Sequence, residues 1–175
     1  NLAEAFFLLE NDKKALSYFV ERIRDFSNFP TKTKQEEALI SFHAAKAAFQ
    51  LAELPLAEAL FARSLASWQQ LGNDTEISRN LDALALVSTE LKNYDKAAEY
   101  YAKLAETQER QGNKKNIAIS KINQAGIFIQ LKKFDPALEL LAAAEKILDD
   151  PDIELTIPAR EGIEIGLAGG QASDT

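Results

Sequence analysis

Three stretches decide the fold: LAELPLAEALFARSLASW at 51–68, LKNYDKAAEYYAKLAETQ at 91–108 and LKKFDPALELLAAAEKIL at 131–148. They align without a gap at a spacing of 40 residues. Leu51, Leu91 and Leu131 fall in register, as do Leu54, Tyr94 and Phe134. Ala57, Ala97 and Ala137 come next, and Phe61, Tyr101 and Leu141 follow four positions on. Residues four apart share one face of a helix, and the small alanine there lets a second helix approach closely. The apolar positions recur with a helical period and none of the stretches alternates, so helices and no sheet are predicted.

Helix punctuation recurs at the same interval. Gly72 and Gly112 stand just past apolar helical runs, where a left-handed residue ends a helix, and Asn73 and Asn113 follow them. Asp95 and Asp135 are expected to N-cap the next helices. Pro136 is then expected at the first helical position, where its missing N–H costs nothing. In the earlier copy Pro55 follows Leu54, which leaves a weaker cap. Upstream of each leucine anchor lies another helical segment, at 34–51, 76–91 and 115–131, so each unit is a helical hairpin.

A further copy, shifted by 42 residues, stands in NDKKALSYFVERI, where Ala15 and Phe19 match Ala57 and Phe61. Its own first helix, at 2–9, is about two turns short, and no methionine stands at position 1. The short helix predicts that the chain begins inside a repeat, and the missing methionine that it is processed or cut from a longer one. The expected organisation is a single all-α solenoid of antiparallel hairpins over residues 1–168. It comprises a partial repeat at 1–31, full repeats at 32–71, 72–111 and 112–151, and a last helix at 156–168. Residues 169–175 are expected to form a frayed tail.

Composition narrows the function classes. The 175 residues suffice for one continuous core. The formal charge of −7 repels phosphate backbones, which argues against nucleic acid as a partner. Without cysteine there is neither a disulfide framework nor thiolate chemistry, a pattern that suits intracellular and extracytoplasmic proteins alike. The N-terminus lacks the basic-then-apolar pattern of a signal peptide, which tilts the expectation towards a soluble chain of the cytoplasm. No apolar run approaches the roughly 18 residues of a membrane span.

Hairpins of this kind resemble the tetratricopeptide repeat (TPR) family. Ala45, Ala85 and Ala125 match the small residue of that family's first helix, helix A. Leu54, Tyr94 and Phe134 match the apolar residue that enters its second helix, and Ala57, Ala97 and Ala137 match the alanine within it. The resemblance covers residues 1–150. The period is longer than the usual one of about 34 residues. It is similar to the long repeats of kinesin light chains, bacterial sensor proteins and peptide-responsive regulators. The closing proline of the family is missing after the repeats that end at 71 and 111, whereas Pro151 follows the last. The resemblance implies a right-handed superhelix whose concave surface, lined by helices A, holds a peptide or helix of another protein without a cofactor.

Stacking would place one stripe of each helix A on that surface. In the first full repeat the stripe is Leu39, His43, Lys46 and Gln50. In the second it is Arg79, Ala83, Leu86 and Glu90, and in the third Ile119, Asn123, Gly126 and Gln130. Phe42, Asp82 and Ile122 lie beside it. The amides of Asn123 and Gln130 either pair with a partner's backbone or only solvate the helix; contact with the chain's own further segments is a third reading. Some family members clamp a chaperone's C-terminal carboxylate, and Asn123 matches one such position. Ala83 and Ile119 stand where its polar partners belong, which speaks against that subtype.

His43 is the sole histidine and has no carboxylate at helical spacing, so a structural or surface role is preferred to catalysis, metal binding or partner contact. Trp68 reads as core before interface. The lysine pairs near helix ends, such as Lys132 with Lys133, read as solvated dipole complements. No nucleophile–base pair, phosphate loop or metal cluster is visible, so no enzyme and no cofactor is expected. The leading reading is a protein-binding scaffold. The other is a regulatory segment of a larger sensor or transcription regulator, whose groove meets its own or a sister chain in a homo-oligomer.

Overall fold

A computed structural model of the chain describes residues 33–150, together with 13, 14, 16–18, 20 and 21, which are helical. The short helix expected at 2–9, the helix at 156–168 and the tail at 169–175 lie outside the described residues. The continuous part contains α1 (Lys34–Gln50), α2 (Leu54–Leu71), α3 (Asp74–Glu90), α4 (Tyr94–Arg110), α5 (Lys114–Gln130) and α6 (Phe134–Leu148). No strand occurs among the described residues. The helix-A segments thus begin at or up to two residues before the expected positions and end one residue earlier.

Two kinds of turn alternate, and both keep the 40-residue register. After each helix A the chain passes through Ala52, Lys92 or Lys132, at φ of 59°, 58° and 57°. These are left-handed residues without glycine. Around Ala52, its N–H bonds Phe49 O at 2.9 Å and the Glu53 N–H bonds Ala48 O at 2.9 Å. Lys132 and Lys133 repeat the pattern onto Ile129 O and Phe128 O at 3.0 and 2.8 Å. Such paired bonds satisfy the last carbonyls of a helix. After α2 and α4, Gly72 and Gly112 take the left-handed position, at φ of 67° and 68°. A Cβ at either would meet no atom within 4 Å, so backbone conformation alone favours glycine there.

The caps differ from expectation. Asn73 and Asn113 are N-caps, and their side-chain oxygens accept from the N–H groups of Glu76 and Asn116 at 3.2 Å. Asp95 and Asp135 are not: Asn93 and Lys133 hold the N-cap positions of α4 and α6, without a side-chain bond. The left-handed residue tightens the turn, so each helix begins before its aspartate. Both carboxylates lie instead in the first turn, where they still complement the helix dipole. Pro136 is consequently the third helical residue, which still needs no intrahelical donor.

The chain forms two compact units, Asn1–Leu91 and Lys92–Thr175. In the first, α2 packs on both α1 and α3; in the second, α5 packs on both α4 and α6. The register alanines carry these contacts. Ala45, Ala57 and Ala85 of the first unit and Ala97 and Ala125 of the second are fully buried, and Ala137 nearly so. Phe61, Trp68, Leu81 and Leu84 complete the core of the first unit, so Trp68 sits where a core residue was expected. In the second, Ile122 packs against a cluster of Ala125, Ala137 and Leu141 and another of Ala118, Ala144 and Leu148.

Polar ties pin the register. The Ser64 hydroxyl donates to Ala38 O at 2.8 Å, and beside it the Arg63 guanidinium donates to Glu37 Oε1 at 2.9 and 2.5 Å. In the second unit Gln124 Nε2 donates to Ala98 O at 3.1 Å, and the buried Ser120 hydroxyl donates to Gln108 Oε1 at 2.7 Å.

Candidate functional site

The first unit holds a cavity of about 470 Å³ between α1 and α3. From α1 come Phe42, Lys46, Phe49 and Gln50, which share one helix face at spacings of four, three and one residues. From α3 come Arg79, Asp82, Ala83, Leu86 and Val87, again one face. Phe61 of α2 also lines the cavity. Its ring meets that of Phe42 edge to face, with centroids 5.4 Å apart and planes at 68°. This geometry suits the ring quadrupoles and holds both aromatics in place. Leu86 is 45% exposed, a large apolar side chain left open beside the cavity.

Three charges stand around this apolar lining. Arg79 is paired within its own helix, Nη1 to Glu76 Oε1 at 3.0 Å. Lys46 is exposed at the other wall. Asp82 presents surface to solvent, yet the hydrocarbon around its carboxyl removes part of its hydration, and this raises its pKa above the ordinary 3.8. The lining thus combines apolar surface with charged groups of both signs. Among the described residues no group of three His, Cys, Asp or Glu could hold a metal ion.

The sequence-derived stripe divides accordingly. Phe42, Lys46, Gln50, Arg79, Asp82 and Leu86 meet around the cavity. Leu39, His43 and Glu90 do not line it. Leu39 is exposed, Glu90 ends α3, and the half-buried His43 ring lies edge-on to Phe42 at 6.0 Å. In the second unit Asn123 and Gln130 are exposed on α5, Ile119 is half-buried, and Ile122 turns part of its surface to the core. The stripe omitted Phe49, Phe61 and Val87. Phe49 lies three residues beyond Lys46, and Val87 lies four beyond Ala83, so a wider helical face includes them. Phe61 was legible only as a packing position.

Helical hairpins with buried alanines at these positions define a TPR-like repeat fold. Solved structures bear this out. The apo form of RapI superposes at a TM-score of 0.83, with 16% identity over 97% of this chain and 47% of RapI. A kinesin light chain of Podosopora anserina with TPR-like repeats gives 0.77, at 13% identity over 99% of this chain and 83% of its own. The Rap conjugation gene regulator of plasmid pLS20, in complex with the Phr* peptide, gives 0.61, at 14% identity over 98% and 52%. The chain spans about half the length of the two Rap proteins. At these identities the likeness is one of fold. Neither a protein-family model nor a curated protein matches the sequence. No described helix is long and apolar enough to cross a membrane.

Proposed function

We propose that the chain is a protein-interaction module that seats a peptide or helix of a partner protein between α1 and α3. The observation that carries this reading is the aromatic-based cavity itself, bordered by the half-open Leu86 and by polar groups at its rim. Apolar pockets with a few placed polar groups are the usual form of a recognition site. A repeat fold whose pLS20 neighbour was solved with a peptide bound is consistent with it. Panning phage-displayed dodecapeptides on the 175-residue chain tests the reading. Peptides that enrich should lose binding to Ala83→Trp, which fills the cavity, and keep it to Glu99→Ala/Lys103→Ala on an exposed face of α4. Enriched peptides indifferent to Ala83→Trp would place the binding surface elsewhere.

A further inference from the structure

We propose that the cavity between α1 and α3 takes a lysine or arginine side chain of the partner peptide, with its aliphatic stem against the phenylalanines and its cation on Asp82. The proposal rests on the reading of this cavity as the partner's seat, and it specifies what the seat selects. The argument is charge complementarity.

The three charged residues of the cavity are not equivalent. Arg79 has its counter-charge in Glu76, 3.0 Å away. Lys46, exposed at the opposite wall, has a contact of its own that does not involve Asp82. Asp82 has no such partner. Its short side chain is fixed to α3, one turn from Leu86, and no hydrogen bond or ion pair among the described residues compensates it. The carboxylate of Asp82 is thus the charge of the lining that is left uncompensated, and it is partly desolvated.

Three kinds of incoming side chain compare simply. A purely apolar one would strip more water from Asp82 and leave its charge unpaired. An acidic one would meet a like charge. A lysine or arginine offers a hydrocarbon stem for Phe42, Phe49 and Leu86 and a cation for the carboxylate. Phenylalanine faces also attract such a cation. The formal charge of −7 favours the approach of basic segments in the first place.

Matched pools of fluorescein-labelled octapeptides, blocked at both ends, test this by fluorescence polarisation. One pool carries arginine at the centre of degenerate alanine, leucine, serine and phenylalanine flanks; the other carries glutamate there. The arginine pool should bind the intact chain about tenfold or more tightly than the glutamate pool, the range of a charge-assisted hydrogen bond. Asp82→Asn, isosteric and on an exposed position, should abolish the difference, and Asp82→Lys should reverse it. Ala83→Trp should remove binding of both pools. Equal binding of the two pools, abolished by Ala83→Trp, would overturn the cation proposal and leave the cavity reading standing. An arginine preference that survives Asp82→Asn overturns the proposal as well. Failure of both pools to bind, or binding that Ala83→Trp leaves untouched, overturns both.

Discussion

At the scale of single residues, backbone conformation and hydration make separate predictions. Gly112 holds φ at 68° with open space where a Cβ would go. Gly112→Ala should therefore cost only the left-handed strain of an L-residue, about 1 kcal/mol, seen as a lower midpoint in urea with an unchanged slope. A cost well above that would mean an unseen clash. Asp82 predicts a pH effect. Its raised pKa means the folded chain binds a proton more tightly than the unfolded chain does. Stability contributed at this position therefore falls as pH rises from the ordinary 3.8 through the folded value, and the loss is complete above it. Asp82→Asn should accordingly melt higher than the parent at pH 7 and lose that advantage below the ordinary carboxylate value. A parent that melts higher at pH 7 would show that Asp82 is paired. The sign agrees with a binding group whose charge is compensated only by a partner.

At the scale of elements, packing explains what the sequence could disclose. The buried alanines were legible because a close helix contact admits only small residues, and that constraint recurs every 40 positions. Helix ends were legible wherever glycine marked a left-handed turn. They were not legible at Ala52, Lys92 and Lys132, which adopt the same conformation behind ordinary side chains, and this is why Asp95 and Asp135 were misplaced as caps. The candidate site was half legible. One helix face can be read from its own spacing, so Phe42, Lys46 and Gln50 were found. Phe61 belongs to α2, and the part it plays between two other helices depends on tertiary packing that its own spacing does not encode. The packing claim is testable at Ala97, which is fully buried in α4. Ala97→Leu adds three carbons to a filled contact and should cost roughly 1–3 kcal/mol of stability. An unchanged melting temperature would mean that α4 has room at this face, and that the shared alanine register is not a packing constraint.

At the scale of the whole molecule, net charge and the local carboxylate should govern different rate constants. The chain carries 27 acidic against 20 lysine and arginine residues, so its far field attracts basic segments before any contact forms. That attraction reaches about 30 Å at 0.01 M salt and about 8 Å at 0.15 M. Asp82 instead acts after docking, at hydrogen-bond range and in a partly dry site. Stopped-flow measurements with an arginine-centred peptide should therefore show association slowing as salt rises over this range, while dissociation changes little. Asp82→Asn should do the opposite, quickening dissociation about tenfold while removing only one of many charges that set the approach. Glu99→Gln, on an exposed face of α4, should give a slight fall in association and an unaltered dissociation rate. If salt and Asp82→Asn acted on the same rate constant, recognition would be a matter of general acidity, and the cavity would not be reading the side chain it receives.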